Sequence, residues 1–177
     1  RDEILPETVG GIARVNSIVG DLRRFARGEP AARVDFDLSD EIAAAVRMAR
    51  TQLQPRQALV ATVAAGLRLR GLPRQLGQVA LNLITNALAA IEAGGTVTVS
   101  LGRRGDAIEL VVVDDGVGMT AALQARIFEP FFTTRPPGRG MGLGLAVVHG
   151  VVTAHGGEVE VDSAPGRGAR VTVRLPG

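Results

Sequence analysis

The sequence predicts an α+β sandwich, in which helices cover a mixed, largely antiparallel sheet. Apolar residues recur with helical spacing in segments that Gly or Pro residues stop, as at Gly94-Gly95. Short runs rich in Val and Ile alternate with turn residues, as strands of a half-buried sheet do. The chain has 177 residues with 46% hydrophobic content, which suits one compact domain or one domain with a small appendage.

Residues 2–27 are predicted to form one long helix that precedes the sandwich. Its apolar side chains recur in an a/d heptad pattern, and most of its arginines fall off that seam. Pro6 suits a first turn, and Gly28-Glu29-Pro30 ends the helix. The seam fits packing against a second chain or against a helix outside this sequence, and ordinary packing on the same domain fits it equally well.

Seven short strands and three further helices are predicted after that break. The strands are rich in β-branched residues, and two hairpins turn at residues 103–106 and 163–166. The predicted strands cover residues 33–36, 58–63, 67–70, 96–101, 107–113, 158–162 and 169–175. The predicted helices cover residues 39–53 (capped by Asp37 or Ser39), 73–93 and 141–155. Residues 115–140 are rich in Gly and Pro and are predicted to form a long loop.

Composition excludes several classes of function. All 20 basic residues are Arg, they are scattered, the formal net charge is only +2, and the five aromatic residues are all Phe, so nucleic-acid binding is not expected. The chain has no Cys, which excludes disulfides and thiolate metal sites. The absence of Lys excludes a P-loop and the strand lysine of protein kinases. His149 and His155 lie six residues apart on one predicted helix, which does not suit a zinc pair.

Three amide side chains recur every four residues on the helix predicted over 73–93. Gln78, Asn82 and Asn86 therefore form one narrow stripe on a mostly apolar helix. Amide oxygens are acceptable ligands for Mg²⁺, which completes its shell with water and phosphate oxygens. By itself the stripe fits a solvent-facing surface better than a metal site.

A carboxylate ends the apolar strand that runs through residues 108–113. An ionised Asp114 accepts hydrogen bonds only, so it suits the exocyclic N–H of adenine and repels the O6 of guanine. Gly116 and Gly118 then allow the backbone to approach a flat ring closely. An ordinary strand that ends in an Asp-Gly turn is the alternative.

Glycines alternate with other residues from Gly138 to Gly144, just before an apolar helix. The N–H groups of such a turn and of a helix N-terminus bind anionic phosphate. Arg135 and Arg139 are placed to counter phosphate charge. A lid loop is the alternative, and phosphate binding explains the pattern better.

Four segments, in this order, resemble the sequence boxes of sensor histidine kinases. They are the N box QVALNLITNA (78–87), the G1 box VDDGVGM (113–119), the F box IFEPFFTT (127–134) and the G2 box GMGLGL (140–145). His155-Gly156-Gly157 follows the last box, and order and spacing fit over residues 34–177. The resemblance implies the Bergerat ATP-binding fold, which type II topoisomerases, a chaperone ATPase and mismatch-repair ATPases share.

The resemblance also implies roles for individual residues, with ATP and Mg²⁺ as the ligands. Asn86 is the principal magnesium ligand with Asn82 beside it, and Arg135 and Arg139 act on the phosphates. Asp114 holds the adenine amino group. The remaining nucleotide contacts are Gly116 and Gly118 at the adenine, Phe128 and Phe131 as lid anchors, and Gly140, Gly142, Leu143 and Gly144 around the phosphates.

The N-terminal segment is similar to the second helix of the family's dimerisation and phosphoacceptor hairpin. The resemblance therefore implies a partial dimerisation region at residues 1–28 and a catalytic ATP-binding domain at residues 34–177. Neither histidine has the setting of a phosphoacceptor, so the acceptor lies outside this sequence. Implied partners are that acceptor helix of the same kinase, a response regulator and a second copy in the full-length dimer. The implied location is cytoplasmic, with any membrane anchor upstream.

Three hypotheses follow for the activity. The first is the Mg-ATP-binding catalytic domain of a bacterial two-component histidine kinase, which donates the γ-phosphoryl group to a histidine on another segment. The second is a nucleotide-binding scaffold or pseudokinase that recruits a signalling partner. A hydrolysing ATPase is the third, and Asn82 argues against it because hydrolysing relatives carry a general-base Glu at that position.

Overall fold

The computed structural model describes residues 32–136 and 140–177, so the helix predicted over 2–27 lies outside the described residues. All seven predicted strands and the three helices predicted after residue 30 are present in the predicted order, and one further short helix occurs among them. The strands are β1 (Val34–Asp37), β2 (Ala58–Val63), β3 (Arg68–Gly71), β4 (Thr96–Arg104), β5 (Ala107–Asp114), β6 (Glu158–Ser163) and β7 (Ala169–Pro176). The helices are α1 (Leu38–Arg50), α2 (Pro73–Ala90), α3 (Ala121–Gln124) and α4 (Gly144–Ala154).

Five strands form the main sheet in the order β2-β4-β5-β7-β6. The pair β2–β4 is parallel, and the other three pairs of this sheet are antiparallel. Strands β1 and β3 pair separately as a two-stranded antiparallel ribbon. The prediction of a mixed, largely antiparallel sheet in an α+β fold is thus confirmed.

The helices cover one face of the main sheet and form the core with it. Alternate residues of β4 and β5, such as Val97, Val99 and Val112, are buried against the helices. The opposite face carries polar side chains, among them Glu109, whose carboxylate lies 3.6 Å from the Arg174 guanidinium. Strand alternation therefore separates a dry helical side from a polar side.

Helix α2 lies at the centre of the helical layer. Pro73 occupies its first turn, where a missing N–H costs nothing, and its apolar stripe includes Leu76, Leu83 and Ile84, each at most 2% exposed. Burying a side chain of this kind contributes about 1.5–3 kcal/mol. This packing leaves the opposite stripe of α2, with the amides, to face the site.

The structure ends two helices earlier than the sequence predicts. Helix α1 ends at Arg50 instead of 53, and α2 ends at Ala90 instead of 93. At the end of α2 the Gln57 side chain, from a distant loop, donates to the carbonyls of Leu88 and Ile91, both at 3.2 Å. These bonds satisfy carbonyls that another helical turn would otherwise use.

Two corrections concern the long loop predicted over 115–140 and the helix after it. A single helical turn, α3, lies within the predicted loop, where the Thr120 hydroxyl accepts a hydrogen bond from the Leu123 N–H at 3.3 Å. Helix α4 begins at Gly144 instead of 141, because Gly142 has a φ of 68° that is incompatible with a right-handed helix. Within residues 32–136 and 140–177, no helix combines the length and apolar character needed to cross a membrane.

Candidate functional site

A cavity of about 510 Å³ opens between the polar stripe of α2, the end of β5 and the start of α4. This volume lies within the range of small-molecule sites in proteins. Residues of all four predicted boxes line the cavity, among them Asn82, Asn86, Asp114, Phe132 and Gly144. The fold therefore brings together segments that lie far apart along the chain.

Asp114 supplies the carboxylate at the inner end of the cavity. Its side chain is held in place because Oδ1 accepts a hydrogen bond from the Gly116 N–H at 2.9 Å, and the residue is only 7% exposed. Burial raises the pKa of this carboxyl above its usual range, although the Gly116 N–H acts in the opposite direction. A buried acceptor at the end of a strand suits a ligand N–H that replaces lost water.

The loop after Asp114 is packed against the β6–β7 turn by backbone contacts. Gly166 N–H donates to Val117 O at 2.8 Å, and Gly168 N–H donates to Gly116 O at 3.0 Å. A Cβ at Gly118 would lie 1.9 Å from Ala164 O, and one at Gly116 would lie 2.3 Å from Ala90 O. Both glycines thus allow protein segments to approach one another, and Gly118 also lines the cavity.

Two amides of α2 are oriented by hydrogen bonds that run along and across the helix. Gln78 Nε2 donates to Asn82 Oδ1 at 2.7 Å, which confirms that the four-residue spacing forms a stripe. Asn82 Nδ2 donates in turn to Gly144 O at 3.1 Å, on the first residue of α4. The stripe therefore faces the glycine-rich turn.

Asn86 and Arg135 meet directly in the cavity. Arg135 Nη2 donates to Asn86 Oδ1 at 3.1 Å, so a cationic group already lies at the amide oxygen for which the sequence predicts a metal. A metal ion at this oxygen therefore requires Arg135 to change partner. Arg139, the second predicted phosphate contact, lies outside the described residues.

The N-terminus of α4 points at the same region. Leu143 is its N-cap residue, and neither a side-chain cap nor an acidic residue occurs in its first turn. The first N–H groups of a helix have no intrahelical acceptor and favour an anion. Gly142 places this helix start against the loop of the F box (residues 127–134), because the Gly142 carbonyl accepts from Phe131 N–H at 3.0 Å. The approach is close enough that a Cβ at Gly142 would lie 2.3 Å from Phe132 O.

The phenylalanines of the lid lie differently from what their predicted roles suggest. Phe132, for which the sequence predicts no role, lines the cavity. The Arg126 guanidinium lies 4.2 Å from the centroid of its ring. Phe128 instead contacts His149, with ring centroids 5.2 Å apart. Phe131 is 65% exposed in a left-handed backbone conformation. The lid roles of Phe128 and Phe131 stay predictions.

The donor set fits Mg²⁺ with a polyphosphate and does not suit a metal held by protein alone. No group of three or more His, Cys, Asp or Glu side chains forms a metal cluster in the described parts of the chain. The two asparagines, by contrast, line the cavity on the side of the glycine-rich turn before α4. A cation that keeps several waters and binds phosphate oxygens needs only one or two such ligands.

Sequence reasoning also missed the role of His155, which is 6% exposed. Its Nε2 accepts a hydrogen bond from Leu72 N–H at 3.0 Å, 83 residues away along the chain. A Cβ at Gly71 would lie 2.8 Å from the ring, so the close approach of His155 requires a glycine beside Leu72. That glycine is the one feature of the sequence that could have indicated this contact.

Comparison with known proteins agrees with this geometry. Residues 71–177 match the family described as "Histidine kinase-, DNA gyrase B-, and HSP90-like ATPase", which is more than half of the chain. The sensor histidine kinase ZraS of Klebsiella oxytoca is 37% identical over 166 residues, which cover 92% of this chain and 36% of that protein. The chain thus spans about a third of the length of this curated relative.

Two solved structures have a similar fold. The mycobacterial sensor histidine kinase MprB superposes with a TM-score of 0.74 at 31% identity, over 82% of this chain and 98% of that one. Full-length ShkA in complex with AMPPNP gives a TM-score of 0.73 at 25% identity, over 96% of this chain and 36% of that one. The chain therefore belongs to the family of histidine kinase-, DNA gyrase B- and HSP90-like ATPases, and its described residues have the fold of a histidine kinase catalytic domain.

Proposed function

We propose that this domain binds Mg-ATP and that the protein transfers the γ-phosphoryl group to a histidine on its own dimerisation and phosphoacceptor helix. One observation carries the proposal. A single cavity joins a buried carboxylate, Asp114, to two oriented amides and to the N-terminus of α4. The first group suits a purine amine and the others suit phosphates with their cation.

At the adenine end, Asp114 acts as a fixed hydrogen-bond acceptor. The hydrogen bond from the Gly116 N–H fixes the orientation of the carboxylate, so the acceptor needs little reorganisation when a base binds. Because an ionised carboxylate cannot donate, the pocket discriminates against guanine, which presents an oxygen at the equivalent edge.

At the phosphate end, charge and orientation are supplied by three groups. Mg²⁺, when bound, neutralises charge on the transferring phosphoryl group. Asn86 supplies the amide oxygen for this cation, and Asn82 stands one helical turn before it. Arg135 has its guanidinium at Asn86, and Arg139 follows it in the sequence, so both are proposed to contact phosphate oxygens.

The nucleophile is proposed to come from outside the described residues. Among the described residues that line the cavity, Asp114 is the only acidic one, and it lies at the adenine end. Asn82 carries a neutral amide, which is not basic enough to activate water, and hydrogen bonds with Gln78 and Gly144 hold it in place. An imidazole needs no such base, and the domain contributes positioning and electrostatics.

The wider organisation is also part of the proposal. Residues 1–28 are proposed as part of the dimerisation and phosphoacceptor region, and residues 34–177 as the catalytic domain. The partners are then the acceptor helix of the same kinase, a second copy in a homodimer and a response regulator. The proposed location is the cytoplasm, with any membrane anchor in a segment upstream.

Phosphotransfer in trans tests the proposal. The chain is mixed with a separately prepared acceptor hairpin from its own full-length protein and with γ-labelled Mg-ATP, and acid-labile, base-stable label on the hairpin is measured. We expect labelling that depends on Asn86 and is lost when the hairpin histidine is replaced by Gln. ATP binding without any labelling would instead favour the nucleotide-binding scaffold.

A further inference from the structure

The C-terminal end of α4 is joined to the beginning of α2 by one buried imidazole. His155 Nε2 accepts from Leu72 N–H at 3.0 Å, and Nδ1 lies 2.7 Å from Val151 O in its own helix. Since a carbonyl only accepts, Nδ1 carries the proton and Nε2 is free to accept from the backbone. The ring therefore bridges two helices as a neutral imidazole with one defined tautomer.

The position of the ring is itself fixed by the end of α4. Gly156 N–H donates to Thr153 O and Gly157 N–H donates to Val152 O, at 2.9 and 3.0 Å. With Gly156 at a φ of 74°, this is a Schellman motif that ends the helix at His155. On the other side, a side chain at Gly71 would overlap the ring.

A second contact joins the N-terminus of α4 to the middle of α2. Asn82 Nδ2 donates to Gly144 O at the N-terminus of α4, whereas His155 lies just beyond its C-terminus. On α2 the partners are Leu72, before the first turn, and Asn82, between two and three turns later. Helix α4 is thus held at both of its ends against the N-terminal half of α2, and a slide of α4 along α2 breaks both contacts.

We propose that His155 is a positioning residue of the nucleotide site, whose imidazole sets the register between the amide stripe of α2 and the phosphate-facing start of α4. This inference rests on the proposed Mg-ATP function. His155 does not line the cavity, so it acts through Asn82 and Gly144. Small displacements of such groups have large effects, since about 1 Å of misplacement costs up to roughly a hundredfold in activity.

The test uses two substitutions at His155 and two controls. His155→Leu removes both hydrogen bonds, whereas His155→Gln keeps an amide oxygen near the position of Nε2. Thr153→Ala is the control on the exposed surface of the same helix. Leu59→Ala, in the core beside β4, is the control for lost stability alone.

The chain offers convenient signals for this test. It contains two histidines, so nitrogen NMR of the imidazoles reads the tautomer of His155 beside that of His149. Asparagine occurs only at positions 16, 82 and 86, so selective labelling resolves the side-chain amides of the stripe. Affinity for Mg-ATP, measured by calorimetry well below the melting temperature, is the functional signal.

We expect the Nδ1–H tautomer at His155, and shifted Asn82 amide signals with about tenfold weaker Mg-ATP binding in His155→Leu. His155→Gln should restore most of both, and the controls should change neither. An Nε2–H tautomer, or unshifted Asn82 signals in His155→Leu, would overturn the inference. If His155→Leu does not fold, the inference is judged by the tautomer of His155 in the parent and by Mg-ATP binding of His155→Gln. If the parent chain binds no ATP, the proposed function fails while the NMR signals still judge the register.

Discussion

Asp114 shows how one residue carries both a cost and a function. Burial at the end of β5 raises the pKa of its carboxyl, which means that the fold disfavours the ionised form. Only the ionised form can accept a hydrogen bond from a purine amine at either oxygen without presenting a proton of its own. The proposed contact with adenine thus accounts for a carboxylate at a position where burial disfavours its charge.

Asp114→Asn should separate the two effects. We expect loss of ATP binding, because an amide presents N–H groups toward the adenine amine, and unchanged or higher stability, because the buried charge is removed. Binding by calorimetry and unfolding by denaturant measure the two properties. Parent-like ATP affinity in a folded variant would contradict the assignment of adenine to Asp114.

The raised pKa of Asp114 also predicts a pH dependence. The protonated carboxyl stabilises the fold at low pH, and this contribution is lost as pH rises through the folded-state pKa. The free energy of unfolding of Asp114→Asn, relative to the parent, should therefore increase as pH rises. The ATP affinity of the parent should fall as pH falls, because acid protonates the carboxylate that accepts from adenine. Titrations of both proteins from neutral pH down toward the onset of acid unfolding measure the two trends, and parallel profiles would exclude Asp114 as their source.

Asn86→Ala should remove the response to magnesium while leaving adenine recognition in place. The amide oxygen that now accepts from Arg135 is the proposed metal ligand, so ATP should bind equally with and without Mg²⁺. Thr85→Ala is the matched control, since the Thr85 hydroxyl bonds to Leu81 O within its own helix at 2.8 Å. Calorimetry that finds a retained magnesium effect in Asn86→Ala would place the metal elsewhere.

At the scale of elements, the loop after β5 depends on a close approach of two backbones. Gly118→Ala should cost about 3 kcal/mol or more, because the Cβ meets Ala164 O at 1.9 Å in addition to left-handed strain. Gly105→Ala is the control: its φ of 61° is similar but its surroundings are open, so about 1–2 kcal/mol is expected. Equal losses in denaturant unfolding would show that the contact with the β6–β7 turn does not matter.

Element types could be predicted from sequence because local patterns determine them. β2, for example, has the predicted bounds, since turn residues flank a β-branched run on both sides. The end of α2 could not be predicted equally well, because a distant group decides it: Gln57 satisfies the carbonyls there. Helix α1 ends where the Thr51 hydroxyl donates to Met48 O at 2.7 Å. Helix α3 was missed because one turn held by a Thr120 cap is too short for a periodic pattern.

For the whole molecule, the missing general base predicts that ATP is bound but not turned over. The cavity carries an amide at Asn82 and no second carboxylate among its described residues. We expect phosphate release at the rate of a buffer blank over hours at saturating Mg-ATP. Steady turnover that Asn86→Ala abolishes would instead assign the protein to the hydrolysing members of the family.

The nucleotide site could be predicted as a set of segments but not as a set of contacts. The amide stripe and Asp114 are visible in sequence because spacing and strand ends place them. The contact of Arg135 with Asn86 and the link from His155 to Leu72 join residues 49 and 83 positions apart. The place of Phe132 in the cavity wall depends on how the loop around it packs. Such pairings arise from tertiary packing, which no local pattern encodes.

The central claim is that one cavity recognises both adenine and a magnesium-bound phosphate chain. Calorimetric titration of the chain with ATP and with GTP, each with and without Mg²⁺, tests it most directly. We predict binding of ATP that strengthens with Mg²⁺ and no measurable binding of GTP, as Asp114 and Asn86 require. Equal binding of ATP and GTP, or no binding of either by the folded chain, would contradict the account.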